Sequence, residues 1–560
     1  MKNINLFRDY WTVKESKNLF IAFTGWAEYN ADILDEPMLI KALFELKISS
    51  FKDFSHFVSK LNGSFSLIFA NQNSIYVGAD RMRGYPVNYY YNNGEWILTD
   101  DIIIYQENLG FNFHLNNVVC EQFLFSNYVF GPYTVYRNVF SIQAGETISL
   151  SCNQPEPQRH QYFRWAPNMK NSDTLNIDYE ARKQDVIFLN VFERMIKSAS
   201  NVNNWVIPLS GGYDSRTIVN YLYKLGLKNV ICFSYGFKNN IESQISQKVA
   251  EALGYKWYFV DYSKWVPELQ IGLNINEYMD YGFNGTSNPH PQDLPAVYGL
   301  TKSNVLKQGD VFVPGHALEV LAGSHVKVTH QNCNNIDMAL SSIKGHYSRF
   351  GNYTEPSNDV NRQIKNIISD YMTDYKQVAE CFDWKERQTK YIANSVKVYE
   401  FFGYRWRLPQ WDNDLFDYWS FVSFNNRYKR GMYKAVFNNN LVVKELKEIP
   451  ITQEITPKKI KPILMSNIVN MMPLDVKKLI KNYWSVDPGK ISHQGFRYIY
   501  NNYKGGLSDH TKSVLFPENI GKHLAAYPRS YPFIALNVNS ITTILRLIRL
   551  YSSSNDYIKE

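Results

Sequence analysis

The sequence predicts an α/β protein: a parallel sheet with helices, preceded by a strand-rich α+β region. Three observations carry this. Short runs of aromatic and β-branched residues bounded by Asn and Gly fill residues 1–165. Strands alternating with segments of helical period follow between residues 175 and 445. Between the two regions lies SCNQPEPQRHQ (Ser151–Gln161), polar and proline-bearing, which marks a boundary. Residues 446–560 carry no recognisable motif and are expected to form a helical C-terminal extension.

In the first region SFSLIFA (Ser64–Ala70), SIYVGAD (Ser74–Asp80), VNYYY (Val87–Tyr91) and EWILTD (Glu95–Asp100) read as strands. GPYTVYRNVFSIQAGETISL (Gly131–Leu150) continues the pattern. In the second region IDYEARKQDVIFLNVFERMIKSAS (Ile177–Ser200) is a helix by its apolar spacing. WVIPLS, VICFSYG and KWYFVD then read as strands, separated by the helical stretches RTIVNYLYKLG and ESQISQKVAEALG. Strands and helices alternating in this way indicate βαβ units around a parallel sheet.

Composition excludes several classes. Net charge is +8 over 560 residues, with no Lys/Arg-rich block, which gives a nucleic-acid partner little electrostatic support. The five cysteines (Cys120, Cys152, Cys232, Cys333, Cys381) form no C-x-x-C pair, so zinc or disulfide-redox chemistry is not expected. The N-terminus lacks the apolar core of a signal peptide, and no apolar run is long enough to span a membrane. ITTILRLIRLY (Ile541–Tyr551) is expected to pack on its own protein. Together these features place the chain in the cytoplasm, and a homodimer stays open.

The functional reading centres on NNWVIPLSGGYDSRTIV (Asn203–Val219), where an apolar strand ends in Ser-Gly-Gly and a helix begins. Ligands of open α/β sheets bind beyond the carboxyl ends of the strands. Gly211 and Gly212 let the backbone turn tightly and bring its N–H groups to an anion. The helix adds unpaired N–H groups and its positive dipole end, and Ser210 and Ser215 add hydroxyls. Asp214 would repel a bare phosphate, so it points to Mg²⁺ held between carboxylate and phosphate oxygens. A capped strand-to-helix turn is the bland alternative. No Gly-Lys-Ser/Thr follows, which excludes the Walker pattern.

S-G-G-x-D-S in this setting resembles the PP-loop of ATP pyrophosphatases, which split ATP into AMP and pyrophosphate. Four further stretches, in order, resemble asparagine synthetases and related β-lactam synthetases. VICFSYGF carries Phe233 and Ser234 at a strand end that borders the adenine in that family. VFVPGHALEVLAGSH resembles the segment G-E-G-A-D-E-x-x-G-G, with Gly315 at its first glycine, Glu319 at its metal-binding aspartate and Gly323 at a later glycine. YRWRLPQWDNDLFDY resembles the arginine-x-proline-phenylalanine-leucine-aspartate stretch, with Asp412 at the acidic position, and RGMYKAVF places Lys434 at the lysine that stabilises transition-state charge. Upstream, FTGWAEYN (Phe23–Asn30) resembles a loop of glutamine amidotransferase domains, and LNGSFSLIFA, GADRMRGYPVNYYY and FGPYTVYRNVFSIQAGE match later parts of it. The resemblance covers most of residues 20–440. It implies a degenerate amidotransferase-like sandwich of the N-terminal-nucleophile type over 1–165 and an ATP pyrophosphatase domain over 175–445.

Two departures shape the expected activity. The family's glutaminase cysteine directly follows the initiator methionine; Lys2 stands there, and Thr24 replaces the asparagine of the oxyanion hole. The opening strands of that domain also look absent, so the first region is expected to serve as a structural or docking module. At the second departure, His316 follows Gly315 where asparagine synthetases have glutamate and β-lactam synthetases a tyrosine paired with glutamate. Glu400 lies about where that paired glutamate is kept, and a His316–Glu400 dyad is the expectation, a neutral histidine being a competent base near pH 7.

The resemblance therefore implies a ligase using ATP and Mg²⁺. Asp214 and Glu319 would hold the metal, and a small-molecule or sugar-acid carboxylate would be adenylated and passed to ammonia or an amine, with His316, Glu400 and Lys434 catalytic. Asparagine synthesis from free ammonia, and a catalytically silent nucleotide-binding scaffold, are the alternatives. A tRNA-modifying role is weakened by the lack of paired cysteines and of a basic patch.

Overall fold

The structure is a computed structural model describing residues 3–452, apart from 17, 35, 46–47, 111–112, 153, 172–175, 274, 348–355 and 372–373. The expected helical extension over 446–560 and the segment Ile541–Tyr551 therefore lie almost wholly outside the described residues. Two sheets are drawn from residues 4–161 and a third from residues 205–406.

The larger N-terminal sheet runs in the order Gln158–Gln161, Glu146–Ser151, Ser74–Ala79, Asn62–Ala70, Leu19–Tyr29, Thr12–Ser16, with Asp32–Leu34 paired to Leu19–Tyr29. The smaller one runs Ile4–Asn5, Glu95–Thr99, Asn88–Asn92, Val139–Ser141. Alternation decides what each face does. Ala22, Ile68 and Val77 from one sheet meet Val87, Tyr89 and Leu98 from the other in a shared core. The opposite face of the larger sheet, with Ile21, Phe23, Leu67 and Phe69, packs on the helices Glu36–Glu45 and Phe51–Lys60. Tyr90 and Ile97 of the smaller sheet pack with Ile102, Ile103, Val119 and Phe123 from two further helices. Helices thus cover both outer faces of the two-sheet sandwich.

FTGWAEYN is a correction to the expected loop. Its first seven residues lie inside the eleven-residue strand Leu19–Tyr29, and residue 24 pairs with Ser66 in an antiparallel ladder running from Phe20↔Ala70 to Glu28↔Asn62. Apolar residues on both faces, all in contact with a buried layer, favour the strand over a solvated loop. The segment before it also forms strands, Ile4–Asn5 and Thr12–Ser16.

The third sheet is parallel throughout, in the order Lys256–Asp261, Val230–Gly236, Trp205–Pro208, Val311–Phe312, Arg405–Trp406. Its strands are near-continuous apolar runs because helices cover both faces. The first strand in the chain, Trp205–Pro208, is central, with later strands added on either side. That is the topological switch point, where a crevice opens beyond the strand's carboxyl end. The helix Ile177–Lys197, capped by Asn176, leads into this strand.

Candidate active site at the carboxyl edge of the parallel sheet

The switch point is occupied by residues 210–215. Strand Trp205–Pro208 ends at Pro208, and Leu209 N–H still reaches Phe233 O (2.8 Å), so the chain leaves the sheet only at Ser210. The two serines close the turn: Ser215 Oγ accepts from Ser210 N–H (3.0 Å) and lies 2.9 Å from Ser210 Oγ, while Gly212 N–H donates to Ser210 Oγ (3.2 Å). Helix Tyr213–Lys224 starts immediately, with Gly212 at its N-cap and no side chain capping it. The open N-terminus keeps donors available for an anion. Phe233 and Ser234 sit in the neighbouring strand Val230–Gly236, both buried.

The VFVPGHALEVLAGSH segment is drawn against this turn. A Cβ on Gly315 would lie 2.9 Å from Ser215 N and 3.2 Å from Asp214 C, so only glycine permits this approach. Ala317 holds φ +81°, a conformation that costs a non-glycine residue about 1–3 kcal/mol. It starts the short helix Leu318–Leu321 and so turns Glu319 toward Asp214.

Asp214 is the centre of the site. Its Oδ1 is buried without a hydrogen-bond partner among the described residues. Burial first, and then the Glu319 carboxylate, push its pKa up to about 7, opposed by the Arg430 guanidinium and by a hydrogen bond from the Glu319 backbone. An orphaned, buried carboxylate oxygen facing a second carboxylate is costly by itself and is relieved by a divalent cation. Asp214 and Glu319 therefore fit a Mg²⁺ ion whose other ligands would be phosphate and water oxygens. Among the described residues no group of three or more His, Cys, Asp or Glu side chains could hold a metal, so a two-carboxylate site completed by a ligand is what the chain offers.

The His316–Glu400 pairing is not found. His316 Nε2 lies 3.1 Å from Ser395 Oγ, and burial lowers its pKa to about 4, leaving a neutral ring at pH 7. Glu400 is held elsewhere, by Trp406 Nε1 (2.7 Å), Lys397 Nζ (2.6 Å) and Tyr281 Oη (3.4 Å). Lys397 is three residues away on the same helical stretch, close enough to capture the carboxylate locally. Lys434 is half-buried on the helix Gly431–Val436, which is fixed against the loop helix by Tyr433 Oη and Thr217 Oγ1 at 2.6 Å. The cation acting directly on Asp214 is Arg430, at the start of that helix, with its guanidinium over the Tyr213 ring at 5.6 Å. Asp412 serves the scaffold: it caps the helix Asn413–Phe421 and pairs with Arg194 at 2.5 Å.

Sequence reasoning missed a second set of groups. His325 Nδ1 lies 2.6 Å from Asp383 Oδ2, and Arg387 Nη1 is 3.6 Å from Asp383 Oδ1. Burial alone would lower the His325 pKa, but Asp383 and then Glu319 outweigh it and raise the value. His290 lies near His316 and Arg387; burial, followed by those two neighbours, lowers its pKa to about 3. Asp383 and Arg387 belong to a π-helical stretch, Asp383–Ile392, of a kind common at functional sites. His325 stands within the quoted glycine segment, but nothing in the sequence signals a partner 58 residues on.

The end of the described chain also reaches the loop. Thr452 N–H donates to Gly211 O (2.9 Å), and Arg216 donates to Ile449 O (2.6 Å) and Pro450 O (2.8 Å).

No family model matches the chain. A 190-residue stretch is 22% identical to the protein described as asparagine synthetase (glutamine-hydrolysing) 2 of Methanocaldococcus jannaschii, covering 33% of this chain and 36% of that relative. The match thus spans about a third of each protein. Among solved structures, NMN synthetase from Francisella tularensis (12% identity, TM-score 0.18) aligns with 38% of this chain and 93% of its own. An NH3-dependent NAD synthetase from Campylobacter jejuni (10% identity, TM-score 0.19) aligns with 35% of this chain and 85% of its own. No helix among the described residues is long and apolar enough to cross a membrane.

Proposed function

We propose that this protein is an ATP-dependent, AMP-forming amide ligase of asparagine synthetase-like type, with its reaction centre at residues 210–215, 315–325 and 383–387. The observation that carries the reading is the orphaned Asp214 oxygen beside Glu319, next to an uncapped helix N-terminus at the switch point of a parallel sheet. The distant similarity to an asparagine synthetase over a third of the chain supports it.

In this reading the triphosphate of ATP lies on Ser210–Ser215, and the adenine lies beside Phe233 and Ser234. Mg²⁺ held by Asp214 and Glu319 would neutralise phosphate charge. A substrate carboxylate oxygen attacks the α-phosphorus, the bond to the β-phosphate oxygen breaks, and pyrophosphate leaves. An amine then attacks the carbonyl of the acyl-adenylate and AMP departs. The proton released by the amine passes to a neutral imidazole, for which His316 is in the right ionisation state. His325, whose charged form Asp383 favours, and Arg387, Arg430 and Lys434 offset negative charge as it develops. Glu400 takes no part.

The carboxylate is a small molecule or a sugar acid, and the nitrogen is ammonia or an amine supplied from outside the chain. Residues 1–165 act as a support for this site, in the manner of a degenerate amidotransferase-like domain, and the protein works in the cytoplasm. Thr24 Oγ1 has no base within hydrogen-bond reach among the described residues, and burial raises the Cys120 thiol to about 12, so neither is an activated nucleophile for glutamine. The test is pyrophosphate release from ATP and Mg²⁺ across a panel of carboxylates, with and without amines, with glutamate release from glutamine assayed in parallel. Carboxylate-dependent pyrophosphate without glutamate supports the reading; no pyrophosphate with any carboxylate, although ATP binds, favours a silent scaffold.

A further inference from the structure

A second polar cleft lies between the N-terminal sandwich and the parallel sheet, at the sheet edge opposite the loop. Its volume is about 640 Å³, suited to a small organic molecule. Thr24 and Trp26 line it from strand Leu19–Tyr29, Tyr85 from the sandwich, and Arg405, Trp406 and Arg407 from the last parallel strand and its exit. Arg405 pairs with Val311, which pairs with Trp205, so this strand start is level with the first rung of the strand that leads to the loop. The cleft is therefore roughly 15 Å, a strand's length, from Ser210.

Charge is unbalanced here. Arg407 is 8% exposed and donates only to neutral oxygens: Ser198 Oγ (2.7 Å), Ser198 O (2.6 Å) and Trp406 O (2.9 Å). Arg405 donates to Ser200 O, Asn201 O and Gly309 O at 3.0–3.4 Å. Neither guanidinium has a carboxylate partner among the described residues; burial lowers the pKa of both, and the neighbouring Arg405 lowers that of Arg407 further. Capping the carbonyl end of helix Ile177–Lys197 accounts for part of Arg407's placement, but leaves two like charges side by side. Glu400, also on the cleft wall, is already neutralised by Lys397 at 2.6 Å. Thr24 Oγ1 and Trp26 Nε1 are buried without partners on the same wall. Asp9, Lys197 and the apolar Leu34 and Pro37 also line the cleft, and aromatic rings flank the arginines: Arg407 lies over the Trp26 ring at 5.8 Å, and Tyr85 stacks on Trp406 at 5.2 Å.

We propose that this cleft is a binding site for a small organic carboxylate with a flat apolar body, its carboxylate at Arg405 and Arg407 and its body against Trp26, Tyr85 and Trp406. Planar guanidinium forks match a carboxylate, and the aromatic walls reward a ring. The site is separate from the reaction centre and does not depend on the proposed ligase chemistry.

The probe is 4-fluorobenzoate, followed by ¹⁹F line broadening on the full chain. Saturable broadening is expected, displaced by 3-phenylpropionate. Arg405→Gln should weaken binding at least ten-fold, and Trp26→Leu several-fold, while Arg430→Gln at the loop leaves it unchanged. Arg407 is left intact because its loss would uncap a long helix; circular dichroism of Arg405→Gln and Trp26→Leu verifies that both fold. Four results would overturn the proposal: no saturable binding, weakening by Arg430→Gln instead of Arg405→Gln, displacement by inorganic phosphate as effective as by 3-phenylpropionate, or displacement by glutamine alone.

Discussion

Asp214 and Asp412 are both buried, and in both burial is the main cause of a raised pKa. Their surroundings differ. Asp412 has Arg194 at 2.5 Å, Asn62 at 3.1 Å and the Asp414 N–H at 2.9 Å, a closed set that joins the sandwich to the sheet region. Asp214 has one oxygen with no partner and a second carboxylate for a neighbour. A satisfied buried acid holds the fold together; one left unsatisfied among the described residues is open to a ligand.

Substitution should separate the two. Asp214→Asn removes one of the two carboxylates proposed to hold Mg²⁺ and is expected to lower pyrophosphate release by about a thousand-fold or more, with thermal stability unchanged or slightly higher because a like-charge contact is gone. Near-normal turnover by this variant would place the metal elsewhere. Asp412→Asn should behave in the opposite way. It leaves Arg194 with a weakened partner and should cost roughly 3 kcal/mol in urea unfolding, in line with breaking a buried pair, while each folded molecule keeps most of its activity. Loss of activity without loss of stability would move Asp412 into the reaction centre.

Asp383→Asn tests the group that sequence reading missed. Without the carboxylate, burial dominates and His325 titrates lower, so turnover should fall about 10–100-fold and its alkaline limit should move to lower pH. A uniform drop with no change in the pH profile would make the pair a scaffold feature.

Acidity sharpens the contrast further. In the unfolded chain Asp214 has an ordinary pKa near 3.8, and in the folded protein it is about 7. Between these values the folded state holds a proton that the unfolded state has released. This contribution to stability is therefore full below about pH 4, is lost as pH rises toward 7, and changes no further above it. Melting temperature should follow that slope in the wild type and lose it in Asp214→Asn. Added Mg²⁺ should raise the melting temperature above pH 7 in the wild type only. The smallest effect is expected from Glu400→Gln: adenylate formation and amine transfer should stay within about three-fold of wild type, since Lys397 and Trp406, not His316, are its partners. A selective loss of amine transfer would restore the dyad.

The strand-to-helix turn was legible because its signals are local: an apolar run, two glycines, then a helical period within seventeen residues. Glu319 and Gly315 were legible for the same reason, as parts of one short segment. The His325–Asp383 contact was not, because it joins two segments that only the packed helices bring together. Glu400 was misread because spacing can put a carboxylate near a site but cannot show that Lys397 and Trp406 claim it first. FTGWAEYN was read as a loop from its resemblance to one in glutamine amidotransferase domains; the long apolar run around it and its pairing with Asn62–Ala70 make it a strand here.

The contact between Thr452 and Gly211 has one more consequence. A Cβ on Gly211 would stand 1.8 Å from Thr452 Oγ1, so the loop's first glycine is shaped as much by the returning chain as by any phosphate. Together with the two carbonyls that Arg216 grips, this ties residues 449–452 to the turn proposed to hold ATP. A truncation at residue 445 would not trim a passive tail. It would remove all three contacts and slacken the turn itself, where ATP is proposed to bind.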